Sequence, residues 1–181
     1  MRMNLPNALT VGRIGLVPAL VLLLLDGPQA AASAVFALGA LSDVLDGHIA
    51  RSRGIVTTFG KLMDPLADKL LSGAAFVALA ANGRVAVWIV AVILMREAAV
   101  SALRWWAKRR GEVIAANGLG KAKAALQTVT ILVLILVSDP GAAWVETLVA
   151  ATVAVTVVSG VAYALAARRH RGPVARRPVT P

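Results

Sequence analysis

Asp43-Val44-Leu45-Asp46-Gly47-His48-Ile49-Ala50-Arg51, eight further residues, and then Gly60-Lys61-Leu62-Met63-Asp64-Pro65-Leu66-Ala67-Asp68 form the stretch on which the reading of this chain turns. Its four aspartates stand among residues that are otherwise strongly apolar. On a helix crossing a membrane, each carboxylate near the bilayer centre costs about 2.5–3.5 kcal/mol, so four together cost about 10 kcal/mol. Something has to offset that cost. Asp43 and Asp46 are three apart and Asp64 and Asp68 four apart, so on helices each pair shares one face, one turn between its members. The link from Ser52 to Phe59, with Gly54, Thr57 and Thr58, is short enough to make the two helices antiparallel neighbours, and the carboxylates can then converge. Converging carboxylates repel unless cations sit between them. Oxygen-only ligation without Cys or His suits hard ions, Mg²⁺ or Mn²⁺, and two such ions balance the four charges. Gly47 beside Asp46, with small Ala50 one turn on, opens a groove where a bulky group approaches the helix backbone, and Arg51 offers a planar fork to a phosphate. The set describes a site for a phosphate ester.

The pattern D-x-x-D-G-x-x-A-R, eight residues, G-x-x-x-D-x-x-x-D resembles the signature of the CDP-alcohol phosphotransferase family at every fixed position. The resemblance implies a membrane enzyme in which the hydroxyl of an acceptor alcohol attacks the diphosphate of a CDP-linked lipid and CMP leaves. It implies that Asp43, Asp46 and Asp64 hold the metals, and that Asp68 completes the metal site and acts as general base. It assigns Gly47, Ala50, Arg51 and Gly60 to the CDP-lipid, with Thr57 a weaker candidate. His48 falls at a variable position and reads as a packed residue.

Composition agrees with a membrane protein. Hydrophobic residues make up 59% of the 181 and charged ones 15%, against about 45–50% and 25% in soluble proteins. The expected class is all-α and integral to the membrane, with a net charge of +10 whose distribution points to topology and not to nucleic acid. No Cys is present, so neither disulfides nor thiolate ligation is available. The first 30 residues have the outline of a signal peptide but read better as the first of six spans, because the later stretches continue the same pattern.

Those spans are expected near 7–25, 30–51, 60–81, 85–107, 117–137 and 143–167, divided by turn residues such as Asp26-Gly27-Pro28 and Asn82-Gly83-Arg84. Together 1–167 form one membrane domain, and 168–181 a basic, disordered cytoplasmic tail against anionic lipid headgroups. Among Lys and Arg, the odd-numbered links hold only Arg84, whereas the even ones hold Arg53, Lys108, Arg109 and Arg110, so the positive-inside rule puts both termini and the Asp motif on the cytoplasmic side.

Asn7, Thr10 and Arg13 recur every three residues ahead of the first span. The resemblance brings polar residues at this point to the nucleotide or its diphosphate; the alternative is interfacial capping and snorkelling. Arg96, Glu97 and Arg104 lie inside the fourth span, where an arginine is costly enough to mark function unless Glu97 merely pairs with it. Trp105 and Trp106 read as an interfacial belt. Lys121 and Lys123 are two apart, so one is expected to face the site and the other the headgroups. Arg96, Arg104, Lys121 and Lys123 are the candidate ligands of an acceptor phosphate. The last span offers only Ser159 and Tyr163 as notable polar groups.

Within the family, Arg96-Glu97 through Arg104 with the Trp that follows, and Gly120-Lys121-x-Lys123 with Gln127, look most like the branch that makes phosphatidylglycerophosphate. The resemblance covers about residues 5 to 130, and its departures, at Ala98-Ala99 and in the tail, touch no candidate ligand. It implies CDP-diacylglycerol as donor, sn-glycerol 3-phosphate as acceptor, a homodimer and the cell membrane, and the high Ala, Val and Arg usage points to a bacterial source. A sister enzyme acting on phosphatidylglycerol or inositol phosphate would keep the whole Asp motif. A divalent-cation transporter could also cluster carboxylates, but would not need the Gly47–Arg51 groove.

Overall fold

The computed structural model describes residues 5–53, 58–110 and 118–169, the side chains of 5–9, 43–53, 58–62, 64, 65 and 169 excepted. Six α-helices and no strand make up the described residues: α1 (Leu5–Asp26), α2 (Gln29–Arg53), α3 (Thr58–Ala81), α4 (Val87–Arg109), α5 (Gly118–Leu136) and α6 (Ala143–Arg169). Each matches an expected span to within two residues at either end. Two of them, Gly118–Leu136 and Ala143–Arg168, are long and apolar enough to cross a membrane by length and composition alone. In α4 the apolar run is broken by Arg96, Glu97 and Arg104, and in α2 by Asp43 and Asp46. The residues that make these helices chemically interesting are those that lower their hydropathy.

Helix α3 packs on α1, α2, α4 and α5, while α6 closes the bundle against α4 and α5. The apolar core gathers at one end. Leu20 of α1, Phe36 of α2, Leu71, Phe76 and Leu79 of α3, Ile93 of α4, and Ile131 and Leu134 of α5 are at most 3% exposed and belong to one cluster. Two close approaches bring α3 onto its neighbours: a Cβ on Gly39 would lie 2.6 Å from Leu71 Cδ2, and one on Gly73 3.2 Å from Leu94 Cδ2.

The α3–α4 turn ties this apolar end together. Arg84 N–H donates to Leu79 O at 2.9 Å and Gly83 N–H to Ala80 O at 3.0 Å, the paired bonds of a Schellman motif whose left-handed position Gly83 fills with φ 68°. The Asn82 amide then donates to Leu24 O of α1 at 2.5 Å, and Arg84 Nε to Leu134 O of α5 at 2.6 Å, with a second guanidinium bond to Val137 O. Both satisfy carbonyls left open at helix C-termini. Arg84, the one basic residue of the odd-numbered links, is thus a cap on α5.

Candidate active site

Toward the other end of the bundle the buried groups turn polar. Thr10 and Arg13 of α1 are 0% and 1% exposed. Arg13 Nε donates to Ser42 Oγ at 3.2 Å, and Ser42 immediately precedes Asp43 on α2. Arg13 is therefore buried against the helix that carries the Asp motif, where a snorkelling side chain would be exposed.

Asp43, Asp46, Gly47, Ala50 and Arg51 lie on the backbone of α2, and Gly60, Asp64 and Asp68 on that of α3. Each Asp pair therefore sits one helical turn apart, on helices that pack together. The side chains of Asn7, Asp43, Asp46, Gly47, Ala50, Arg51, Gly60 and Asp64, and all of Thr57, lie outside the described residues, as does that of His48. Among the described residues no group of three or more His, Cys, Asp or Glu gathers. The oxygen-only donor set and its one-turn spacing fit a hard divalent ion.

Asp68 is exposed, and it lines a cavity of about 290 Å³ together with Lys69 of α3, Arg96, Glu97 and Arg104 of α4, Lys121 and Lys123 of α5, and Tyr163 of α6. The four cations expected to serve an acceptor phosphate thus share one cavity with the expected base. Their states differ. Arg104 and Lys121 are exposed, while Lys123 is 7% exposed and its ammonium donates to Glu97 Oε1. Both lysines line the cavity, Lys121 exposed and Lys123 turned inward onto Glu97, so the two differ in facing as their spacing suggests.

Glu97 is the hub. Arg96 reaches its Oε1 at 3.0 Å, Lys123 binds the same oxygen, and Lys69 stands 3.8 Å from Oε2. The Lys69 ammonium also donates to Ser101 Oγ, and Ser101 in turn donates to the Glu97 carbonyl one turn back. Arg96 bridges onward, donating to Ser159 Oγ of α6 at 2.9 Å. Side chains of α3, α4, α5 and α6 are therefore cross-linked around one carboxylate. Glu97 does pair with Arg96, as the sequence allowed, but it also collects two lysines.

Arg104 stands over the Tyr163 ring, 5.6 Å from its centroid, within cation–π range. Further along α4, Arg109 and Arg110 cover Trp105 and Trp106 at 3.7 and 3.9 Å. Lys69, Ser101 and Tyr163 were not among the residues that the sequence singled out for the site. Lys69 follows the last Asp of the motif directly, and Tyr163 lies on the last span, which offers few polar groups.

A family model described as CDP-alcohol phosphatidyltransferase matches residues 3–161. A CDP-diacylglycerol–glycerol-3-phosphate 3-phosphatidyltransferase of Bacillus subtilis (strain 168) is 38% identical over 152 residues, 76% of this chain and 79% of that protein. A protein named "Probable phosphatidylglycerophosphate synthase" from Mycobacterium tuberculosis is 38% identical over 176 residues, 93% of this chain and 84% of that one. A cardiolipin synthase (CMP-forming) of Oryza sativa is 35% identical over 174 residues, 87% of this chain and 53% of its own length. The matched region takes in the Asp motif, the Glu97 hub and most of α6, and the chain belongs to the CDP-alcohol phosphatidyltransferase family.

Proposed function

We propose that the protein transfers the phosphatidyl group of CDP-diacylglycerol to sn-glycerol 3-phosphate, giving phosphatidylglycerophosphate and CMP. The observation that carries this reading is the cavity shared by Asp68 and the cations of α3, α4 and α5. Its lining sets five cations against two carboxylates, Asp68 and Glu97. A small dianion matches that excess. The volume of about 290 Å³ is at the small end of the range for small-molecule sites, about 300–1,000 Å³. Relatives from Bacillus subtilis and Rickettsia bellii carry names with the same donor and acceptor.

Divalent ions, Mg²⁺ or Mn²⁺, held by Asp43, Asp46, Asp64 and Asp68, would supply neutralisation of the diphosphate. The chain's own side chains do the rest. Arg104 and Lys121 hold the acceptor's phosphate by charge-assisted hydrogen bonds, with Arg96 and Lys123 kept in place beside them by Glu97. The acceptor hydroxyl is then directed at the phosphatidyl phosphorus; its O–H proton passes to the Asp68 carboxylate as the new P–O bond forms and the bond to CMP breaks. Arg13, Arg51 and Thr10 lie on the helices that would receive the CDP moiety.

All six helices are read as spans, with both termini cytoplasmic. Each turns a large apolar residue outward: Leu22, Leu38, Val77, Met95, Val129 and Val158 are 49–65% exposed, as suits a surface facing lipid. The test is CMP release by purified protein given CDP-diacylglycerol and Mg²⁺, with each acceptor offered separately. Turnover is expected with glycerol 3-phosphate and none in EDTA. Preference for phosphatidylglycerol, the reading that the rice relative's name favours, or for inositol phosphate would overturn the acceptor assignment.

A further inference from the structure

The inner face of α6 carries a buried polar stripe, Thr152, Thr156, Ser159 and Tyr163, at spacings of four, three and four. Three of the four are bonded to a neighbouring helix. Thr152 Oγ1 meets Thr130 Oγ1 at 2.7 Å, the Gln127 amide donates to Thr156 Oγ1 at 3.2 Å, and Arg96 donates to Ser159 Oγ at 2.9 Å. Tyr163, one turn nearer the cationic end, breaks the series. It is 4% exposed, and its hydroxyl is buried with no hydrogen-bond partner among the described residues.

A buried hydroxyl that makes no bond bears the full penalty of leaving water, and native structures keep few such groups. Arg96, a residue of the same cavity's lining, has a second such donor: its Nε is buried against Gly160. Among the described residues neither donor has an acceptor. Of the two carboxylates in the lining, Glu97 is already shared by Arg96, Lys123 and Lys69 and Asp68 is engaged as well, while Lys69, Arg104, Lys121 and Lys123 are donors themselves. An anion entering the cavity would offer an acceptor to both.

We infer that Tyr163 is a specificity residue of the acceptor site, its hydroxyl donating to the acceptor's phosphate beside Arg96 Nε while its ring supports the Arg104 guanidinium. This rests on the acceptor reading above and adds to it a residue from α6, the helix farthest from the Asp motif. A neutral donor among cations adds direction where charge alone is tolerant of geometry, since a hydroxyl bonds along a narrow range of angles. The ring and the hydroxyl have separable tasks.

Tyr163→Phe keeps the ring under Arg104 and removes only the hydroxyl. The Michaelis constant for glycerol 3-phosphate is expected to rise about tenfold, the inhibition constant of inorganic phosphate against that acceptor to rise with it, and the constant for CDP-diacylglycerol to stay within twofold. The thermal midpoint of the solubilised variant is expected to stay level or rise, because no bond inside the protein is lost; a structural tyrosine would lower it. Wild-type values for both the acceptor and phosphate in Tyr163→Phe would overturn the inference and leave the hydroxyl to water. Thermal stabilisation by inorganic phosphate, measured without donor, separates this from failure of the acceptor reading. Should wild-type protein release no CMP with glycerol 3-phosphate, the acceptor reading falls, yet weaker phosphate stabilisation of Tyr163→Phe than of wild type still supports the anion contact, and equal stabilisation refutes it.

Discussion

Glu97 carries one negative charge and answers three positive ones, from Lys69, Arg96 and Lys123. Lys123 depends on it most, being the most buried of the three, with its side chain 9% exposed. Removing one member of a buried pair costs about 3–5 kcal/mol, because the other is left charged without a partner; the 17% exposure of the Glu97 side chain places Glu97→Gln at the low end, about 3 kcal/mol. Denaturation of the solubilised variant should show that loss, and Lys123→Met in the Glu97→Gln background should recover part of it. Strict additivity of the two changes would mean that the pair is not coupled. Asp68 has a different task and a different signature. If it takes the hydroxyl proton, Asp68→Asn lowers kcat by about 10²-fold or more while CDP-diacylglycerol still binds, since proton transfer belongs to the transition state. Equal loss of donor binding and rate would reduce Asp68 to a metal ligand. Most of the cavity's charged residues were legible one by one, because a cation inside an apolar span is costly and so draws attention. Tyr163 was not, since a tyrosine near the end of a span is ordinary, and only its surroundings reveal that its hydroxyl has no partner among the described residues.

At the scale of elements, the junction of α4 with α6 is made by a side chain lying along a glycine. A Cβ on Gly160 would stand 3.0 Å from Arg96 Cγ and 3.3 Å from its Nε. Arg96 is held at Glu97 on one side and at Ser159 on the other, so it has little room to yield without loosening one of them. Gly160→Ala should therefore raise the Michaelis constant for glycerol 3-phosphate severalfold. Its effect on the thermal midpoint should be small, as Ala is favoured over Gly in a helix by about 1 kcal/mol, which offsets part of the strain. An unchanged acceptor constant would show that Arg96 can shift freely and does not shape the cavity. The helices themselves were legible, since apolar runs of about 20 residues parted by Asp-Gly-Pro or Asn-Gly-Arg leave few choices of boundary. The polar face of α6 was not. Thr152 and Thr156 hardly lower the hydropathy of a long Val- and Ala-rich run, and what makes them a stripe is the set of partners on α5 and α4, which no local pattern contains.

The whole molecule is polarised along its bundle axis. One end is an apolar core closed by the Asn82-Gly83-Arg84 turn, and the other holds Arg13, the Glu97 hub and the Asp68 cavity. Antiparallel pairing of α5 and α6 follows from their bonds, where Thr130 meets Thr152 and, one turn earlier on α5, Gln127 meets Thr156 one turn later on α6. The helix ends that flank the even-numbered links thus share an end with the Asp68 cavity, the end that the proposed topology turns to the cytoplasm. That assignment came from charge in the links, and the cavity's place at the same end came only with the fold. The absence of cysteine makes it directly testable. Lys108→Cys, exposed one turn beyond Arg104 on α4, marks the cavity end, and Ser138→Cys, exposed in the α5–α6 link, marks the apolar end. In right-side-out membrane vesicles, a membrane-impermeant maleimide should label Ser138→Cys at once and Lys108→Cys only after permeabilisation. Labelling of both in sealed vesicles would mean that the bundle does not span the bilayer. The reverse pattern would turn the cavity away from the compartment that supplies nucleotide-activated lipid and small phosphate esters, and the proposed reaction could not then be fed with its substrates.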